Sequence, residues 1–294
     1  MQFEDVFGLD DILQPSCHYQ VTRDRCVVTG REDAKYLYET ALADSGRVRF
    51  DLNKGFDTFE EKEGDERLDV LLDWIATQAP RGGPLKKKYF ALFRKESMTQ
   101  RDKMMSYWGF KFEQYMTVTE KAGVPNVGEP VTCREEFAMV VKSTLAATSG
   151  RPLRLVYSGE VDAINKDGDP VELKTQRHAL EGTFWKQKSM KWWLQSFLLG
   201  IRDIIVGYRD DDGIVKKVGF AHTDELPKRG EWSGNVCMNL LSNVLTSLRD
   251  LLEVDGEACL VRYEQNRDEI TIHSVPLPDI DFFTYAFRVH FNLE

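Results

Sequence analysis

Ser158-Gly159-Glu160-Val161-Asp162-Ala163-Ile164, the turn Asn165-Lys166-Asp167-Gly168-Asp169-Pro170, and then Val171-Glu172-Leu173-Lys174-Thr175 form the stretch that decides the fold. The segments flanking the turn read as two strands. Successive strand side chains point to opposite faces, so Glu160 and Asp162 share a face, as do Glu172 and Lys174. A hairpin symmetric about Asp167 sets Glu160 opposite Lys174 and Asp162 opposite Glu172, with all four on one face. Opposite charges across a hairpin also make an ordinary solvated ladder, worth roughly 0.2–1 kcal/mol per pair. Here, however, the carboxylates outnumber the one lysine, and they repel one another unless a cation sits among them. Hard oxygen donors with an adjacent lysine suit Mg2+ or Mn2+ and metal-assisted phosphoryl chemistry.

Composition bounds what surrounds this hairpin. The 294 residues, 42% hydrophobic and 11% aromatic, suffice for a large core. A net charge of −9, from 39 basic and 48 acidic residues, excludes a protein that coats nucleic acid nonspecifically. It does not exclude a local basic channel, and a metal-dependent nuclease carries acids at its centre. The first residues, Met1-Gln2-Phe3-Glu4-Asp5, are acidic, and no apolar run approaches a spanning length, so neither a secretory signal nor a membrane segment is visible. Cys17, Cys26, Cys133, Cys237 and Cys259 are scattered without a CxxC, which favours a reducing compartment and argues against a cysteine zinc site. The histidines lack metal or triad spacing, and GxxxxGK[ST] and GxSxG are absent.

Leu68, Leu71, Leu72 and Ile75 form an apolar stripe that predicts a helix over 67–75. A strand over Tyr89-Phe90-Ala91-Leu92-Phe93 ends at Arg94, a helix covers about 100–118, and the region 120–130 is a surface loop. Residues 183–199 read as a long helix that offers Trp185, Trp192, Phe197 and Leu199 for packing, with Lys188, Lys191 and Gln195 on one face. A second hairpin joins 204–209 to 214–218, an amphipathic helix covers 239–252, and two strands follow at 259–263 and 269–275. The Lys86-Lys87-Lys88 run reads as a solvated loop, and Trp108, Trp192 and Trp193 read as core. No linker divides the chain, so the expected fold is one α/β (α+β) domain over 1–294, mixed β-sheets wrapped by helices.

The order of motifs is Tyr107-Trp108-Gly109-Phe110-Lys111-Phe112-Glu113-Gln114-Tyr115-Met116, then Glu160-Val161-Asp162, Glu172-Leu173-Lys174, Lys191-Trp192-Trp193-Leu194-Gln195 and Val236-Cys237-Met238-Asn239. This order resembles the DXO family of decapping exoribonucleases, and the carboxylate-plus-lysine core resembles the wider PD-(D/E)XK nuclease superfamily. A lone ExK carries almost nothing; five ordered motifs are specific. The resemblance implies a PD-(D/E)XK-type core in which Glu113, Glu160, Asp162 and Glu172, with the Leu173 carbonyl, hold one or two Mg2+ or Mn2+ ions. It implies Asp162, Glu172 and Lys174 as the catalytic set, Lys174 orienting or deprotonating the attacking water. Arg94, Lys174, Lys191 and Gln195 would bind substrate, Arg94 near the RNA 5′ end and Gln195 near the scissile phosphate.

The implied function is metal-dependent hydrolysis at single-stranded RNA 5′ ends in mRNA quality control. It comprises removal of non-standard or incomplete caps, nicotinamide dinucleotide caps included, pyrophosphate release from 5′-triphosphates, and 5′-3′ exonuclease digestion. A 5′-3′ exoribonuclease is the implied partner, and the implied location is nuclear or cytoplasmic. Two alternatives compete: a PD-(D/E)XK DNA nuclease, and a noncatalytic module that binds RNA ends or an exonuclease partner. Retention of all four carboxylates and the lysine favours an enzyme.

Overall fold

Asn165 builds the turn that the sequence requires. Its Oδ1 accepts the N–H groups of Asp167 (2.9 Å) and Asp169 (2.8 Å), and Gly168 takes a φ of +94° that a side chain would resist. The computed structural model describes residues 15–32, 34–62, 68–78, 81–82, 99–254, 257–264, 266–276 and 283–293. Arg94, the Lys86-Lys87-Lys88 run and the strand expected at 89–93 lie outside these described residues.

In chain order the described elements are β1 (Pro15–Val21), β2 (Val27–Thr29), β3 (Tyr36–Leu37), α1 (Glu39–Ala43), β4 (Phe50–Asp51), α2 (Asp69–Gln78) and α3 (Gln100–Met116). There follow β5 (Thr117–Val118), β6 (Glu136–Leu145), β7 (Leu153–Glu160), β8 (Ala163–Ile164), β9 (Pro170–Arg177), α4 (Lys188–Leu199), β10 (Asp203–Arg209) and β11 (Ile214–His222). The chain closes with α5 (Leu226–Arg229), α6 (Gly234–Leu251), β12 (Glu257–Glu264), β13 (Glu269–Pro276) and α7 (Tyr285–Phe291). One sheet has the order β4-β11-β10-β9-β8-β3-β5, a second β2-β1-β6-β7, and β12 pairs β13 alone. The architecture is the mixed α/β one expected. Two compact units divide it, one of residues 1–64, 95–143 and 155–236, the other of 65–94, 144–154 and 237–294.

The register of the deciding hairpin agrees with the sequence: Ala163 pairs with Val171 and Ile164 with Pro170, which continues to Asp162 opposite Glu172. Its extent does not. Only these two rungs form, because β7, which ends at Glu160, belongs to the other sheet beside β6. The Val161 N–H already donates to the Phe137 carbonyl of β6 (2.8 Å). Glu160 therefore stands at the end of one sheet and Asp162 at the entrance to the next. The expected ladder of Glu160 against Lys174 is replaced by a fork between sheets.

Helix α3 starts at a capping box in which the Thr99 hydroxyl accepts the Asp102 N–H and the Asp102 carboxylate accepts the Thr99 N–H. Its Phe112 and Met116 are fully buried with Leu173, Ile205 and Val215 of the large sheet. β10 runs parallel to β9, and Ile204, Ile205 and Val206 are all buried, as a covered central strand requires. Gly207 lets the helix approach: a Cβ there would lie 2.6 Å from the Phe112 ring. Gly207→Ala is therefore expected to cost about 1–3 kcal/mol through overpacking, read as a lower denaturant midpoint at constant m-value. An unchanged midpoint would mean that α3 rides loosely on the sheet. The helix expected over 183–199 begins only at Lys188, because Gly182, at a φ of +55°, opens a 3-10 turn ahead of it.

In the second unit Leu72 of α2 packs with Phe287 and Phe291 of α7. The 144–154 loop is tied to α6 by Ser242 on the Ala146 carbonyl (2.6 Å) and Arg249 on the Ser149 carbonyl (2.7 Å). Among the described residues no helix is long and apolar enough to cross a membrane.

Candidate active site

β9 supplies the centre of the site. Glu172 is only 5% exposed and its Oε1 meets the Nζ of Lys174, two residues on along the same face. Asp162 Oδ2 accepts the Leu173 N–H at 2.6 Å, so the carboxylate that opens the large sheet is pinned to the strand bearing Glu172 and Lys174. Glu113 is carried in by α3, directly after the buried Phe112. Its carbonyl accepts the Thr117 hydroxyl (2.8 Å), where the helix gives way to β5. Glu160 enters from the other sheet with a face open to solvent.

These acids feel one another. Burial, and then the charges of Glu172 and Glu113, push Asp162 well above the usual carboxylate range. Glu113 is raised by burial and by Glu172 against the opposing charges of Lys35 and Lys174. Crowding by protein raises Glu160, with Glu113 and Glu136 adding to it and Lys35 and Lys62 resisting, while part of the residue stays open to solvent. Burial alone would lower Lys174, but Glu172 and Asp162 outweigh it and hold the amine raised. Glu113, Glu160, Asp162, Glu172 and Lys174 thus form one electrostatic cluster, lying entirely in the first unit.

Lys35, Lys62 and Glu136 belong to the same neighbourhood, and sequence reasoning missed them. The Lys35 carbonyl accepts the Ile164 N–H (2.9 Å), which sets this lysine beside β8. Glu136, at the start of β6, holds Lys62 and, at 2.7 Å, Arg25. Pairing of Val161 with Phe137 brings that triad next to Glu160. The one local signal was the apolar run Phe137-Ala138-Met139-Val140-Val141 behind an acid.

The expected substrate residues are placed unevenly. Lys188 of α4 donates to Gln176 Oε1 (3.0 Å), and Gln176 shares the face of Lys174. Lys191 and Gln195 lie exposed on the Lys188 face of the helix; neither contacts the carboxylates. Trp192 and Trp193 are buried, the latter stacked on Phe197 at 4.6 Å, as core residues rather than platforms. Arg94 lies outside the described residues.

The donor set fits a hard divalent cation. Carboxylates that raise one another's protonation are what such an ion relieves. As the side chains stand, no three Asp, Glu, His or Cys among the described residues are grouped as a ready coordination shell. Glu172 is turned to Lys174 and Asp162 to the Leu173 N–H.

A sheet fork lined by such acids and a lysine, with a helix-borne glutamate, defines a hydrolytic enzyme of the nuclease class. A family model described as "RAI1 like PD-(D/E)XK nuclease" matches residues 85–288, and the chain belongs to that family. The decapping nuclease dom-3 of Caenorhabditis elegans is 34% identical over 93% of this chain and 83% of that protein. The decapping nuclease RAI1 of Emericella nidulans is 29% identical over 81% of each. Among solved structures, Candida albicans Rai1 in complex with pU5-Mn2+ shares the fold at a TM-score of 0.73 and 17% identity, over 98% of this chain and 99% of that one.

Proposed function

We propose that the chain is a Mg2+- or Mn2+-dependent hydrolase of RNA 5′ ends. It removes non-standard or incomplete caps, nicotinamide dinucleotide caps included, or releases pyrophosphate from 5′-triphosphates, with 5′-3′ exonuclease activity on the exposed end. The observation that carries this reading is the contact of Glu172 with Lys174 inside the group formed by Glu113, Glu160 and Asp162. The decapping names of the relatives and the pU5-Mn2+ complex of the C. albicans protein support the substrate class. A 5′-3′ exoribonuclease partner and a nuclear or cytoplasmic location belong to the same reading and rest on the family resemblance.

Glu113, Glu160, Asp162 and Glu172, with the Leu173 carbonyl, would hold the metal, which supplies Lewis-acid stabilisation of the charge developing on the phosphate oxygens. Lys174, in contact with Glu172, positions the attacking water and neutralises the phosphate. Arg94, Lys191 and Gln195 serve the RNA end and the phosphate being cleaved. The cluster occupies the fork between two sheets, and α4 reaches the Lys174 face through the hydrogen bond of Lys188 to Gln176. In this reading a single strand reaches the fork, whereas a duplex must first unstack at a cost of a few kcal/mol.

The test incubates the protein with RNAs bearing triphosphate, monophosphate, unmethylated-cap, methylated-cap and nicotinamide-dinucleotide ends, each either free or annealed flush. Release of cap or pyrophosphate products from free ends, with at least about tenfold slower release from flush ends, is expected. Equal cleavage of single-stranded DNA and RNA would favour the DNA-nuclease alternative. Binding without any product would favour the noncatalytic one.

A further inference from the structure

Glu113 arrives on α3 and Glu160 at the end of β7, so the gap between them needs a tie outside the hairpin. The segment from Phe56 to Lys62 supplies one. Phe59 stands edge-on to Tyr107 at 5.2 Å and tilted against Phe110 at 5.6 Å, and Phe110 precedes Glu113 by one helical turn, on the same side of α3. Tyr107 is fully buried, held by Phe56 at 5.2 Å and by its hydroxyl on the Lys54 carbonyl. Directly after Phe59 the chain is fastened to the approach to β6: the Glu60 N–H donates to the Val131 carbonyl (3.0 Å), and the Glu60 carbonyl accepts the Cys133 N–H (3.3 Å). Lys62 completes the span, its N–H donating to Cys133 Sγ (3.3 Å) and its amine meeting Glu136.

Glu136 and Glu160 lie on one face of the sheet β2-β1-β6-β7. The Val161 N–H bonds the Phe137 carbonyl where β7 ends beside β6, so the residues just before each, Glu160 and Glu136, both point to the opposite face. The neighbouring strand agrees. Val21 of β1 pairs with Glu136 and Tyr19 with Ala138, and the Tyr19 hydroxyl donates to Ser158 Oγ (2.9 Å), two residues before Glu160. Lys62 and Arg25 share the carboxylate of Glu136, which leaves net positive charge on the face that carries Glu160. The Lys62 side chain is only 19% exposed, so its charge is screened less than that of a surface pair. At Glu160 it works against burial and the charges of Glu113 and Glu136.

We propose that Lys62 is a positioning residue of the active site: as the end of a brace that begins at Phe59, it fixes the sheet carrying Glu160 against the helix carrying Glu113 and aims the Glu160 carboxylate. This inference rests on the metal-dependent reading above and deepens it by naming what holds two of the proposed ligands in register. Lys62 acts through Glu160 rather than on the substrate, as the partners behind metal ligands do.

The experiment is isothermal titration of the whole chain with Mn2+, for wild type, Lys62→Met, Lys62→Arg, Glu160→Gln and the double variant Lys62→Met/Glu160→Gln, with thermal midpoints taken in the absence of metal. Lys62→Met should weaken Mn2+ binding by about 10- to 100-fold at a nearly unchanged midpoint, and Lys62→Arg should restore most of the affinity. In the Glu160→Gln background Lys62→Met should change little further, since groups that act as one unit are not additive. A full additional loss in the double variant would overturn the proposal, because the lysine would then act independently of Glu160. Wild-type affinity in Lys62→Met, or a loss matched by a collapse of the midpoint that Lys62→Arg does not repair, would overturn it as well while leaving the metal reading intact. Should Lys62→Met fail to fold, Glu136→Gln, which keeps the side-chain shape and releases the lysine, takes its place in the same cycle. A wild type that binds no Mn2+ would remove both the brace and the reading on which it rests.

Discussion

Asp162→Asn and Glu172→Gln should each lower kcat/KM by about a thousandfold or more, the equivalent of the several kcal/mol that a correctly held metal contributes to charge stabilisation. The isosteric amides are the informative substitutions here. Asp162 accepts the Leu173 N–H and Glu172 is 5% exposed, so alanine would confound loss of a ligand with loss of a buried hydrogen bond. An amide keeps an acceptor for the Leu173 N–H and removes the charge, and removal of one charge from a mutually repelling group leaves the fold in place. Isothermal titration with Mn2+ gives the second readout, in which both variants should bind the ion far more weakly than wild type. Full hydrolysis in excess chelator, or full activity of either variant, would contradict the metal-centred mechanism.

Lys174→Ala is expected to lower kcat by about 100-fold or more with little change in RNA affinity, the pattern of a contact made chiefly in the transition state. Its amine sits against Glu172, and the cluster's carboxylates hold its charge in place. Loss of the amine thus removes the cation held among the carboxylates. Single-turnover rates and chelator-phase binding separate the two roles. A variant that binds RNA tenfold worse and turns over normally would make Lys174 a phosphate anchor.

Legibility in the sequence follows how local each feature is. The Asn165–Pro170 turn, the α2 stripe, the β10–β11 hairpin and the β12–β13 pair each carry their signal within a dozen or so neighbouring residues, and the structure contains all of them. The sheet β2-β1-β6-β7 carries no such signal, because β1 meets β6 across more than a hundred residues, with Tyr19 on Ala138 and Val21 on Glu136. The run Phe137–Val141 is buried without alternation, and such a run reads equally as strand or buried helix. The same distance hid Lys35, Lys62 and Glu136. Each is an ordinary charged residue in sequence and joins the acids only through pairing such as Ile164 with the Lys35 carbonyl. Glu113, Glu160, Asp162, Glu172 and Lys174 were legible because their spacing within the motifs is itself local, whereas Lys191 and Gln195 were legible only as a shared helix face.

The crossing of the chain from one sheet to the other occupies only Val161 and Asp162. Val161 is 3% exposed and bonded back to β6, while Asp162 is bonded forward to β9. The two residues therefore act as a rivet, fastened once on each side. The single residue between Glu160 and Asp162 is then a dimension of the framework as much as a requirement of the chemistry. Adding or deleting one residue there would turn β8 over relative to β7, so that both sheets would have to re-register before any acid could return to its place. A centre built into such a fastening has little freedom to drift.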